Sequence, residues 1–132
     1  MPAEIYWLTL TALATALMWL PYILNRIMVR GLFPAMGNPS PADKPHDAWA
    51  ERAMAAHRNA CENLPVFGAV ALAAVATGTA NGMTATAAMI VFFARIAHYF
   101  IYIAGVPVAR TLAFAAGGVA QIVIALVVLG WI

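Results

Sequence analysis

A chain of 132 residues, 64% hydrophobic and 9% charged, excludes an ordinary soluble domain, in which about 25% of residues are charged. The formal net charge of +2 calls for no nucleic acid, because the few basic residues have a membrane explanation. A hydrocarbon core about 30 Å thick needs a helix of about 20 residues to cross it, and this chain holds four apolar stretches near that length.

Residues 5–24 are the first such stretch and carry no charge. The segment is too long for a cleaved signal and lacks a basic leader; its arginines, Arg26 and Arg30, follow the apolar run. Pro34, Gly37, Asn38, Pro39, Ser40, Pro41 and Pro45 then form a connection through which helix cannot run. Asp47 is the expected N-cap of a second helix over residues 48–77. Its first part, 48–61, is polar and is expected to reach toward or beyond the interface, and Pro65 should kink it at the start of the apolar run 64–80. Asn81 and Gly82 predict a tight turn into a third helix over 83–103, which contains Arg95 and His98. Gly105 and Pro107 predict the last turn, before an uncharged stretch at 112–132. The fold class is all-α: one four-helix transmembrane domain over residues 1–132. Runs of Ala and Gly in helices two and four suit close helix packing.

Arg26, Arg30, Lys44, Arg52 and Arg58 cluster on the first loop and its flanks, the second connection has no basic residue, and the third has Arg110. The positive-inside rule puts loops one and three in the cytoplasm, with both termini outward. The expected location is the cell inner membrane.

Polar side chains in a membrane need partners or a purpose. Counted along ideal helices, Glu62 and Tyr102 lie about 27–30 Å from the outer turn, and Arg110 lies about 33 Å from the last residue, level with Arg58. Arg58, Asn59, Glu62, Tyr102 and Arg110 thus share a depth, with His98 about one turn deeper. Arg58 and Glu62 are i, i+4 neighbours, and Arg95, His98 and Tyr102 form one stripe at i, i+3, i+7. Such a stripe faces the bundle interior or another subunit. The structural alternative pairs Arg58 with Glu62, and Arg95 with Glu62 or with Gln121 at similar depth. Cys61, the single cysteine, allows no intramolecular disulfide and reads as a small buried hydrophobe. His46, His57 and His98 lie at scattered depths and make no ligand set, so no metal is expected.

The run Glu51-Arg52-Ala53-Met54-Ala55-Ala56-His57-Arg58-Asn59-Ala60-Cys61-Glu62-Asn63-Leu64-Pro65 resembles the signature of MAPEG, the membrane-associated proteins in eicosanoid and glutathione metabolism. Asn59, Glu62 and Pro65 match its Asn-x-x-Glu and the proline after it. Arg95-x-x-His98-x-x-x-Tyr102, followed by Gly105, Pro107 and Arg110, looks most like the microsomal prostaglandin E synthase and glutathione transferase branch. The resemblance covers nearly the whole chain. It implies a homotrimer binding glutathione, as co-substrate, between subunits near the cytoplasmic face. On this pattern Arg58, Asn59, Glu62, His98 and Tyr102 hold glutathione and Arg110 stabilises its thiolate. A lipophilic electrophile arrives from the bilayer. Ala55 and Asn63 depart from the pattern, since several members carry an arginine at the first position and some a tyrosine at the second. The interval from His98 to Arg110 is also one residue shorter than in that branch. Arg26 is the candidate replacement for the missing charge.

The leading reading is therefore a membrane glutathione transferase or peroxidase acting on lipophilic electrophiles. The alternative, motivated by Ala55 and Asn63, is a non-enzymatic binding or regulatory membrane protein of the same fold. A small transporter coupled through Glu62 is the weakest reading, because it calls for a carboxylate deeper in the span.

Overall fold

The computed structural model describes residues 1–132 as a bundle of helices. They are α1 (Ala3–Leu17), α2 (Leu20–Arg30), α3 (Leu32–Met36), α4 (Ala48–Ala76), α5 (Gly82–Ala104) and α6 (Pro107–Val128). Four are long and apolar enough to cross a membrane, counting α1 and α2 as one span over Ala3–Arg30. The all-helical, four-span architecture expected from the sequence is the one observed.

The first span is longer than the apolar run and is interrupted at Met18–Trp19. Pro21 accounts for the break, because it offers no N–H to the Leu17 carbonyl four residues back and its ring crowds that oxygen. It sits instead in the first turn of α2, where no N–H is needed. The Met18 carbonyl freed by the break accepts a 2.8 Å hydrogen bond from the Tyr99 hydroxyl of α5. A polar gap in one helix is thus closed by a neighbour, as the bilayer interior requires.

Helix α4 runs unbroken through Pro65. Asp47 is its N-cap residue, but the carboxylate does not cap the helix. It accepts a 2.7 Å bond from Asn25 Nδ2, and the Asp47 N–H donates to Asn25 Oδ1 at 3.1 Å. This two-way clasp ties the end of α2 to the start of α4. The turns at both ends of α5 follow the expected chemistry. Asn81 accepts from the Met83 and Thr84 N–H groups while Thr84 Oγ1 accepts from the Asn81 N–H. Gly105, at φ +79°, ends α5 in the left-handed region, and Pro107 opens α6. At the Asn81 end, opposite Gly105, Glu4, which is buried, accepts a hydrogen bond from Thr84 Oγ1. A carboxylate beside the N-terminus of α5 is favoured by the helix dipole.

Helix α5 packs against α1, α4 and α6, and α4 also meets α1 and α6. The main core is built of Phe67, Ala71 and Ala74 from α4, Ala87, Ala88 and Val91 from α5, and Ala120 and Ile124 from α6. Lipid is as apolar as leucine, so close contact between small side chains, not expulsion of water, holds such helices together. Large side chains such as Leu13, Phe93, Phe100 and Ile122 point outward. In water they would be a liability, but in a bilayer they are solvent-matched.

Candidate functional site

The α5–α6 seam gathers four of the expected residues into a continuous ladder. The Arg110 guanidinium lies over the Tyr102 ring, 4.4 Å from its centroid. The Tyr102 ring meets His98 edge-on at 5.5 Å, and His98 lies 6.2 Å from Phe114. Arg95 then stands over the other end of the ladder, 5.5 Å from the Phe114 centroid. The i, i+3, i+7 spacing on α5 places Arg95, His98 and Tyr102 on the face toward α6, and Arg95 and His98 are buried. Cation–π contact gives each arginine an electron-rich neighbour where water is scarce.

Arg95 has a different partner from the ones anticipated. Its Nη2 donates to Asn63 Oδ1 of α4 at 3.2 Å, not to Glu62 or Gln121. Asn63 Nδ2 in turn donates to the Asn59 backbone oxygen at 2.9 Å and to Asn59 Oδ1 at 3.4 Å. Asn59 thereby joins the ladder, through a residue treated in the sequence only as a departure. Their i, i+4 spacing is the signal that could have linked them. Gln121 is buried near Arg95's helix seam, yet its Nε2, like Arg95 Nε and Nη1, has no hydrogen-bond partner.

Arg58 and Glu62 are turned the other way. The buried face of the polar half of α4 is Ala50, Ala53, Ala56 and Ala60. Arg58 and Glu62 each stand two residues, about 200°, beyond a buried alanine, so both point outward. Both are exposed, and the expected pair between them is not formed. The ion pair in the chain is Arg30–Asp43 at 3.6 Å, and His46 Nδ1 lies 3.4 Å from a Glu51 carboxylate oxygen. Cys61 shares the outward orientation and is exposed, which corrects its reading as a buried hydrophobe. The stripe Ala50, Ala53, Ala56 and Ala60 is visible in the sequence, although only packing selects it as the buried face.

The remaining polar residues of this end brace the first loop. Arg26 Nε donates to His46 Nε2 at 3.3 Å, so Arg26 is engaged with the loop and away from the ladder. Tyr22 and His57 share a 2.7 Å hydrogen bond between α2 and α4. Arg52 Nε donates to the Ile103 carbonyl at 2.9 Å, satisfying an end carbonyl of α5 beside Gly105.

Two apolar grooves mark the surface. One lies between the α1–α2 break and α5, lined by residues that include Leu17, Met18, Pro21, Tyr99 and Phe100. The other lies between the N-terminal half of α5 and the C-terminal half of α6, around Ile90 and Val119. Neither is lined by Arg58, Asn59, Glu62, His98, Tyr102 or Arg110. Within a single chain the polar residues therefore form a ladder and an outward charged face, not a closed cavity. Chemically, the ladder offers a fixed cation at Arg110, a phenol and an imidazole, while the outer face of α4 offers a guanidinium and a carboxylate.

Residues 5–130 match the family model of the MAPEG family. No curated protein matches the chain.

Proposed function

The chain belongs to the MAPEG family, and on that premise we propose that it is a membrane glutathione transferase or peroxidase acting on lipophilic electrophiles. The observation that carries this reading is the ladder of Arg110, Tyr102 and His98 at the end of the bundle where Arg58, Asn59 and Glu62 also lie. Glutathione carries two carboxylates, an ammonium group, two peptide groups and a thiol. Guanidinium groups match carboxylates with a planar fork of donors, and Glu62 suits the ammonium. Tyr102 and Asn59 supply hydrogen bonds for peptide groups. Arg110, a cation held against an aromatic face, would lower the thiol pKa from about 8.5 toward neutrality.

In transfer, the glutathione thiol loses its proton and the sulfur forms a bond to the electrophilic carbon. The leaving group departs with its electron pair. The substrate partitions into lipid and reaches the sulfur from the bilayer side.

The outward face of α4 supports a homotrimer with the site completed between subunits. Arg58 and Glu62 are exposed on the single chain at the interfacial end of a spanning helix, and a neighbouring copy would cover them. Loops one and three are assigned to the cytoplasmic side of the inner membrane by their lysine and arginine content.

The thiolate absorbance of glutathione bound to detergent-solubilised protein at pH 7 tests the role of Arg110. Wild type is expected to raise the signal, Arg110→Ala to abolish the rise, and light scattering of the same sample to give three protomers. An equal signal from both proteins removes the role of Arg110, and a monomeric mass removes the shared site. The second reading, a binding or regulatory protein, is favoured by Asn63 being committed to Arg95. It predicts glutathione binding without turnover of a generic aryl halide.

A further inference from the structure

Asn59 and Asn63 stand one turn apart on α4, and Arg95 reaches Asn63 from α5. A guanidinium has donors only, so it can meet nothing but the oxygen of the Asn63 amide. That places the Asn63 nitrogen, which also only donates, toward Asn59. Asn59 answers with oxygens, its backbone carbonyl at 2.9 Å and its side-chain Oδ1 at 3.4 Å. The Asn59 side-chain nitrogen is thereby turned away from Asn63. One fixed cation orders two amides in series.

The cation itself is locked. Arg95 is 3% exposed. Its guanidinium lies against Gly117, where a Cβ would come within 2.9 Å of Cζ and Nη2, so the absence of a side chain there is what admits it. The Phe114 ring also contacts it, at 5.5 Å. Reversing the Asn63 amide would set its NH2 group against guanidinium N–H groups away from water, which costs more than the loss of one hydrogen bond.

We infer that Arg95 and Asn63 are positioning residues that fix the hydrogen-bond polarity of Asn59, so that its amide N–H faces the ligand and selects an acceptor there, a carbonyl or carboxylate oxygen. The inference rests on the glutathione reading and narrows it: the peptide carbonyls and carboxylates of the thiol-peptide are the groups to which the Asn59 amide donates.

Titration calorimetry of glutathione into the detergent-solubilised protein tests this with Asn63→Asp, Asn59→Ala and the double variant. Asn63→Asp keeps an oxygen for Arg95, so the cation stays partnered, but has nothing to donate to Asn59. Thermal unfolding of each variant reports whether the bundle is intact. The expected result is a Kd raised about fivefold in Asn63→Asp, the loss of about one hydrogen bond. The double variant should bind no more weakly than Asn59→Ala alone, because Asn63 acts through Asn59. If wild type binds and Asn63→Asp binds equally well, or the two substitutions add, the positioning role is overturned and the glutathione reading stands. If wild type does not bind, both fall.

Discussion

Arg95 shows how much depends on a single side chain in this bundle. A guanidinium within a spanning helix is costly, and here one amide oxygen and one aromatic face offset part of that cost while Nε and Nη1 stay without partners. Gly117 is as much a part of that arrangement as the hydrogen-bond partner. Gly117→Ala should lower stability by about 1–3 kcal/mol, because the added methyl and the guanidinium cannot share the space. Thermal unfolding in detergent measures it, and an unchanged midpoint would mean that Arg95 has another place to go. The stripe of Arg95, His98 and Tyr102 was legible because helical spacing alone aligns those residues. The choice of Asn63 as partner was not, since two residues 32 positions apart meet only when α4 and α5 pack.

At the scale of elements, proline and glycine acted as the sequence indicated at the turns and differently inside the first span. Gly105 and Pro107 separate α5 from α6, and Asn81 caps α5. Pro21, in a run read as one helix, divides it, and the consequence is repaired from α5 by Tyr99. The Asn25–Asp47 clasp likewise joins elements across the whole first loop. Asn25 is 1% exposed and bonds both the carboxylate and the N–H of Asp47. Asn25→Leu should cost about 2 kcal/mol, since a charged acceptor and a backbone donor both lose their partner. It should also speed proteolysis of the loop while sparing the spanning helices. Equal digestion rates would show that the loop is held elsewhere, for example by Arg30 with Asp43.

For the molecule as a whole, charge is distributed unevenly between the two ends of the bundle. Basic residues lie on the first loop and its flanks, at the end that also carries Arg110. If that end is cytoplasmic, a membrane-impermeant maleimide should label Ser40→Cys, in a Cys61→Ala background, only after the cells are permeabilised. Labelling of intact cells would invert the topology. Glu4 and Thr84, joined at the opposite end, seal it with a buried polar contact between α1 and α5. The Glu4 carboxylate precedes the apolar run 5–24, and packing of α1 against α5 draws it in.

By itself the sequence determined the class of the molecule: four apolar spans, their turns, the polar end of the bundle and the α5 stripe. These follow from length, periodicity and turn chemistry, which are local properties of the chain. Only the tertiary structure decided which face of α4 is buried, and so turned Arg58, Cys61 and Glu62 outward and brought Asn63 to Arg95. The reason is that rotation of a helix about its axis is set by what its neighbours can accept. On α4 the small alanines fit against the bundle, and the charges were left the other side.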